Sequence, residues 1–453
     1  MRQLSDKSDK SASIKNSHFP YRVALKVKFE NYHKSYKTIH NITMKRSKYI
    51  ISVLLMPVAI LASVNCMAQT RQANTVACPL DSTAKAVYKG ETSMAYSLFE
   101  KVDNQHDANE NVVISPLCLA DALAILGNGA KGITSDQIMN VLGTEDLSAG
   151  KVSEVYGKLN DYLAGYKREV GIKIANSVWI NDQFKTKPEY SNKNRNDFKA
   201  EMHNQRLALD MTKNAMNLWC DKNSNGTFRN ILSQPLSSEA KIALFNTICF
   251  NGTWNNVFDD DITRPMEFTN ADGSKSKVMM MQQEERYQVY EGDKMDMLRI
   301  PYLKGHFYME IYLPHKGEKL DDCMRNFSKK QDNKMRKLTS EQKVALDMPR
   351  MDLKCTNDFC EPLKAMEMTD AFSAEADFSG IADKSPSVSE MKQLISLKIN
   401  EKGTEATSFI RKEYQKGDFT VKPFFFTINR PFFFTIRERN SGVILFMGKI
   451  RKL

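Results

Sequence analysis

Apolar positions recur along this chain with two different periods, and the period that holds locally decides what each segment becomes. Over residues 84–101, Val87, Met94, Ala95, Leu98 and Phe99 mark one helical face. Residues 111–114 read as a short strand, and Ser115-Pro116 then opens a helix, with the serine as cap and the proline at the first helical position. The helix predicted over 117–126 is apolar on nearly every side, as befits a helix at the middle of a large core. Residues 172–180 alternate enough to be a strand. Residues 242–250 form an apolar run of β-forming residues closed by Asn251-Gly252, a turn signal, and a strand apolar on both faces belongs at the centre of its sheet. Further strands are predicted over 307–313, 344–348, 394–399, 432–437 and 443–450. The hexapeptide Pro-Phe-Phe-Phe-Thr-Ile occurs at 423–428 and again at 431–436, which reads as two short aromatic strands, each begun by a proline that donates no hydrogen bond.

Helices and strands are mixed, with β structure dominating the C-terminal half, which makes the fold class α+β. No Pro-rich or Ser-rich stretch divides the chain after residue 84, so one domain is expected over 85–453, preceded by a polar linker at 69–84.

The net charge of +11 invites a nucleic-acid or membrane reading until its distribution is considered. Residues 1–43 carry nine Lys and Arg against three Asp and Glu, and residues 44–68 add three bases and no acid, which leaves only +2 for everything after. The body of the protein is nearly neutral, and no nucleic-acid partner is expected. From Met44 the order is Met-Lys-Arg-Ser-Lys, a mostly apolar run and a small-residue end, the layout of a secretory signal peptide over 44–68. Such signals start at an amino terminus, so residues 1–43 read as an extension ahead of the true start. Cleavage after Ala68 leaves Gln69 first; Cys66 and Cys78 are weaker candidates for a lipidated cysteine, a possible surface anchor. Seven of the eight cysteines lie beyond Ala68 with no CxxC spacing, which argues against a disulfide framework and a zinc site. Cys118 and Cys249 sit in apolar runs as core filler, and Cys355 and Cys360 are near enough in sequence to pair. No metal or cofactor is expected. With seven histidines, three of them before Met44, and no GxSxG, HExxH, P-loop or strand-to-helix GxGxxG, catalytic residues are expected to be absent and an enzyme is disfavoured.

Residues 401–417, Glu-Lys-Gly-Thr-Glu-Ala-Thr-Ser-Phe-Ile-Arg-Lys-Glu-Tyr-Gln-Lys-Gly, join a small-residue stretch to a charged, protease-cuttable one. Glu401-Lys402-Gly403-Thr404-Glu405-Ala406 resembles the hinge of the serpins. Other stretches follow in that family's order: Asn111 to Leu126 with Gly129-Ala130-Lys131-Gly132-Ile133-Thr134, then Asn246 to Trp254, then Ala371-Phe372 with Ala376 to Ile381, then Asn429-Arg430-Pro431-Phe432 and Leu445-Phe446-Met447-Gly448. The resemblance covers about residues 85–453. It implies one domain of three β-sheets and eight or nine helices, monomeric, with an exposed reactive-centre loop. It implies a bacterial inhibitor, secreted, periplasmic or surface-attached, that traps a serine protease as an acyl-enzyme when the cut loop inserts into the central sheet.

The resemblance also distributes roles. Glu401, Gly403, Thr404, Ala406 and Ser408 stand at the hinge; Thr404, Ala406 and Ser408 alternate, so they would face inward in an inserted strand and Glu405 outward. The family's run of small residues breaks at Phe409, and the same alternation would turn Ile410, Lys412 and Tyr414 inward. Spacing puts the scissile bond at Gly417-Asp418, suiting an elastase-like or subtilisin-like protease, with Lys416-Gly417, suiting a trypsin-like one, a residue earlier. Ser115, Asn246 and Gln393 match the cluster that controls sheet opening, Cys118 standing where a second serine is usual and Gln393 where a histidine is. Glutamine donates and accepts as histidine does without titrating near neutrality, so this position is expected to give the opening barrier no pH dependence. Trp254 is expected to pack near the top of that sheet. Phe409 and Lys412 favour the alternative reading, a non-inhibitory serpin acting as a binding protein or chaperone.

Overall fold

The computed structural model describes residues 77–166, 170–325, 327–404 and 422–453. In chain order the elements begin with α1 (Ser82–Asp103), β1 (Val112–Ile114), α2 (Pro116–Gly127), α3 (Gly132–Leu142), α4 (Ala149–Ala164), β2 (Val170–Ile180), α5 (Pro188–Phe198), β3 (Glu201–Asn204), α6 (Asp210–Asn223) and β4 (Ile242–Thr253). They continue with β5 (Arg264–Thr269), β6 (Lys275–Tyr290), β7 (Met295–Pro301), β8 (Phe307–Pro314), α7 (Leu320–Met324), α8 (Lys329–Lys337), β9 (Ser340–Pro349), β10 (Met351–Asp358) and α9 (Cys360–Lys364). The chain closes with β11 (Val388–Asn400), β12 (Gly403–Thr404), β13 (Phe424–Thr427), β14 (Phe432–Glu438) and β15 (Ile444–Ile450). The class is α+β, with nine α-helices among the described residues.

A six-stranded sheet runs β10-β11-β12-β4-β2-β3. The other strands form a nine-stranded sheet in the order β1-β15-β14-β8-β7-β6-β9-β13, with β5 also on β6. Of the three sheets that the resemblance implies, two are continuous here because β6 joins them. Its first part pairs β5 and β9, and its last residues, Gln288 to Tyr290, pair β7.

The helix begun by Ser115-Pro116 forms as the sequence requires. The Ser115 hydroxyl accepts the Cys118 amide at 3.4 Å, and all twelve residues of α2 are buried. It lies under the six-stranded sheet. α6 covers the opposite face, where the Asn223 carbonyl accepts Thr247 Oγ1 at 3.3 Å and Cys249 Sγ at 3.6 Å from β4. Sandwiched so, β4 is apolar on both sides and central, paired with β2, β11 and β12.

One expectation fails at the end of this strand. Asn251-Gly252 does not turn; β4 continues to Thr253, because Asn251 and Gly252 pair with Gly171 and Val170 and Gly252 also meets Thr404. The ladder satisfies backbone groups that a turn would leave to water. The aromatic repeat does give two strands, but β14 is interior, between β8 and β15, while β13 pairs only β9. Cys355 and Cys360 remain free thiols, as do Cys78, Cys118, Cys220, Cys249 and Cys323.

Beneath the nine-stranded sheet the core holds an ionic cluster. Arg437 and Glu310, both fully buried, meet at 3.1 Å, and Arg437 also reaches Asp332 at 2.9 Å and the Tyr96 hydroxyl at 2.6 Å. Arg299 and Arg336 bind the other Glu310 oxygen at 2.7 and 2.9 Å. Burial alone would push the Glu310 carboxyl up, but Arg336, Arg437 and Arg299 hold it below its ordinary value.

Candidate functional site, a hinged strand seam

β4 and β11 run parallel and pair from Val388 opposite Ile242 to Ile395 opposite Ile248, seven residue pairs interrupted by a bulge near Glu390. Above Ile395 the two strands are bridged by β12, antiparallel to both: Thr404 sits opposite Ile399 and Gly252, and Gly403 opposite Asn400 and Thr253. The first residues of the hinge thus already lie as a strand at the top of the seam. Ala406, Ser408 and the scissile-bond candidates Lys416, Gly417 and Asp418 lie outside the described residues, as do Phe409, Ile410, Lys412, Tyr414 and Cys66.

The close approach of strands accounts for two glycines. Gly403 has φ +146°, and a Cβ there would stand 1.9 Å from the Gly252 carbonyl oxygen. At Gly252 a Cβ would meet the rings of Phe250 and Tyr302 at 2.8 Å. Thr404 is buried, as its inward parity requires, and its Oγ1 shares a 2.7 Å hydrogen bond with the Tyr302 hydroxyl. Tyr302 stacks on Trp254 with centroids 4.5 Å apart. The Trp254 indole donates to the Asn400 carbonyl at 3.0 Å, its backbone amide donates to Lys402 O at 2.9 Å, and the Phe258 amide donates to Glu401 O at 2.9 Å. Trp254 therefore packs near the top of the sheet, where it also clamps the turn at Glu401-Lys402.

Glu401 anchors that turn from its side chain. Its Oε1 accepts Arg350 Nε at 2.6 Å and Thr263 Oγ1 at 2.7 Å, with Arg350 Nη2 at 2.5 Å. Burial works to raise this carboxyl, but the hydrogen bonds from Arg350 and Thr263 keep it below the usual glutamate range. A groove of about 780 Å³ opens beside it, lined by Arg350, Lys398, Lys402, Asp260 and Asp352 among others.

Lower in the seam, Ser115, Asn246 and Gln393 come together as expected. Gln393 accepts the Ser115 amide at 2.8 Å and donates to the Ser115 carbonyl at 2.9 Å, while Asn246 donates to the Cys118 carbonyl at 2.9 Å. Cys118 replaces the usual serine with a thiol 4.0 Å from Thr247 O. Gln393 and Asn246 are register partners, so β11 and β4 are tied to the start of α2 side by side. Missed from sequence were Arg350, Thr263 and Tyr302, which come from elements remote in the chain, and Gly252, which was read as a turn residue.

The site is a sheet whose parallel strands β4 and β11 are joined over seven residue pairs, bridged at the top by β12 and held from beneath by side-chain amides. A family model described as Serpin (serine protease inhibitor) matches residues 89–453, and the chain belongs to the serpin family. It is 28% identical over 374 residues to an uncharacterized serpin-like protein of Methanosarcina acetivorans, covering 79% of this chain and 84% of that one. Among solved structures it is similar to human thyroxine-binding globulin complexed with thyroxine, at TM-score 0.74 and 24% identity, covering 82% of this chain and 99% of the other. It is also similar to mouse protein Z-dependent protease inhibitor, at TM-score 0.73 and 24% identity, covering 82% and 97%. At these identities the two structures establish the fold and leave the activity to be argued.

Proposed function

We propose that this protein is a suicide-substrate inhibitor of serine endopeptidases. The observation that carries the reading is the docked hinge. Because Gly403 and Thr404 already form a strand between β4 and β11, a cut near residues 416–418 would free the preceding residues to extend that strand down the seam. Some dozen new backbone hydrogen bonds at roughly 1 kcal/mol each, with the accompanying burial, would release on the order of 10 kcal/mol. The uncut chain is then held by a barrier rather than by equilibrium stability. A protease attached to the moving strand as an acyl-enzyme would be distorted before water could release it, since deacylation needs an intact triad and oxyanion hole. Lys416-Gly417 fits a trypsin-like target and Gly417-Asp418 an elastase-like or subtilisin-like one.

The leader at 44–68 supports a secreted, periplasmic or surface-attached monomer. Cys66 and Cys78 remain the two candidates for a lipid anchor, Cys78 being half-buried against the core. The second reading, a non-inhibitory binding protein or chaperone, is favoured by Phe409 and Lys412, which are ill suited to insertion.

The test is to incubate the purified chain with a trypsin-like, an elastase-like and a subtilisin-like protease, then examine denaturing gels and the mass of the released C-terminal peptide. A denaturant-resistant band at the summed mass supports inhibition, and the first residue of the peptide identifies the bond cut. Clean cleavage with active protease remaining in every case would transfer the conclusion to the second reading.

A further inference from the structure

The side-chain ties beneath the seam continue one strand further than the opening cluster. Asp121, on α2, is completely buried; its Oδ2 accepts Asn160 Nδ2 of α4 at 2.8 Å, and its Oδ1 has no partner. The Asn176 amide of β2 faces the same carboxyl but falls outside hydrogen-bond geometry. Asn176 is the register partner of Asn246, which is the register partner of Gln393. Ser115, Cys118 and Asp121 are three residues apart, a rise of about 4.5 Å along a helix, while neighbouring strands lie about 4.8 Å apart. α2 therefore meets β11, β4 and β2 rung for rung, and Asp121 is the third rung.

A strand entering between β4 and β11 widens the sheet by one spacing, so this match has to break. β11 holds α2 through two hydrogen bonds between Gln393 and Ser115, β4 through the Asn246 amide on Cys118 O and a long contact from the Cys118 thiol to Thr247 O, and β2 through none. β2 and β4 pair over eleven residues and move together, so the β2–β4 side is the one that yields. Its departure admits water to Asp121.

We propose that Asp121 is a proton-operated latch on the seam: as a neutral acid it lets β2 and β4 lie closed on α2, and loss of its proton favours opening. This rests on the reading that the seam opens. The physical ground is that a carboxylate without a cationic partner is costly to bury. The ionisable groups that interact with it are Tyr156 of α4 and Cys118 of α2, and burial drives both toward their neutral forms; Glu91 of α1 is another buried acid raised by burial, but it is held by the Ile444 amide. Burial likewise pushes the Asp121 carboxyl up to about 8, against the Asn160 hydrogen bond and the nearby Asn176 amide. The pH sensitivity that Gln393 does not supply thus enters through Asp121.

The direction follows from linkage. Below the ordinary carboxylate range both closed and opened seams hold the proton and pH has no effect. From there up to about pH 8 the closed seam keeps a proton that the opened one sheds, so opening is favoured by up to about tenfold per pH unit. Above about pH 8 both are ionised and the curve flattens.

The experiment is amide hydrogen exchange at residues 243–248 and 391–395 of the uncut chain between pH 5 and 9, corrected for intrinsic exchange. Protection is expected to fall with rising pH and level off above about pH 8, to be independent of pH in Asp121→Asn, and to keep its wild-type profile in Glu91→Gln. Asn160→Leu, which removes the one hydrogen bond favouring the carboxylate, should move the levelling to higher pH and keeps the test decisive should Asp121→Asn not fold. A flat wild-type profile, or one unchanged by both Asp121→Asn and Asn160→Leu, overturns the proposal. No protease or cut loop is involved, so a chain that never traps a protease would sink the proposed function and leave this result standing by itself.

Discussion

Replacing Gly403 by alanine should disconnect the hinge from the sheet. The added Cβ would lie 1.9 Å from Gly252 O and 2.8 Å from Thr253 Cα, both backbone atoms of a strand paired along its length with β2, in a residue already at φ +146°. β4 cannot retreat without breaking that pairing, so β12 has to leave the seam. The uncut chain then loses the Thr404–Tyr302 bond and the backbone bonds of a two-residue strand, together about 3 kcal/mol at roughly 1 kcal/mol each. The larger effect comes after cleavage. An insertion worth on the order of 10 kcal/mol raises the melting temperature of a domain this size by about 20 °C, taking about 2 °C per kcal/mol. With the first pair of residues excluded, Gly403→Ala should gain little of this. Scanning calorimetry of cut and uncut chains measures the difference, and Trp254 emission reports the hinge directly because Trp254 binds Asn400 O and Lys402 O. A cut Gly403→Ala chain as thermostable as the cut wild type would refute the account of the hinge.

Three further outcomes are expected. Gln393→Ala strands both the amide and the carbonyl of Ser115 in the core and should cost about 2–4 kcal/mol in denaturant unfolding, at 1–2 kcal/mol for each unsatisfied group. Gln393→His should instead introduce a second titration: the protonated ring cannot accept the Ser115 amide, so the rate of opening relative to the wild type at the same pH should be higher toward pH 5 than at pH 8, and a ratio unchanged with pH would contradict the role given to Gln393. Because the Glu401 carboxyl is held below its ordinary value, the stability it contributes is complete above the unfolded glutamate range and is lost as pH falls through its lowered native value; Glu401→Gln should erase that acid-side loss in pH-dependent melting.

How much of this was legible depended on where each interaction is encoded. α2 could be read because its cap, its proline and its apolar residues are contiguous, and β4 because burial on both faces leaves, over 242–250, a run of apolar residues broken only by Asn246 and Thr247. β6 could not: its sixteen residues border three different strands, β5, β9 and β7, and exposed positions interrupt the alternation. Asn251-Gly252 misled because a turn dipeptide is a local preference, overruled here by pairing with Gly171 and Val170, 80 and 82 residues earlier, and with Thr404, 152 residues later in the chain. The hinge itself was found as a string of small residues, but the Glu401–Arg350 pair and the Thr404–Tyr302 bond join positions 51 and 102 residues apart and carry no local signature. Asp121 was hidden for a related reason. An acid within an apolar helix reads as one polar interruption until the register of three strands places it beneath them.

The two-residue β12 also bears on kinetics. Starting a new strand inside a sheet requires fixing backbone angles and closing a loop before any ladder bond rewards it, which makes nucleation the slow event. Here the nucleus exists before any cut is made, in fixed alignment with both neighbours. Under the proposed function, what would remain after cleavage is elongation, each step freeing one pair of β4–β11 bonds as it forms its own. A race between strand growth and hydrolysis of an acyl bond would then be run without a lag phase, and its outcome would turn on how quickly the pairs below Ile395 come apart.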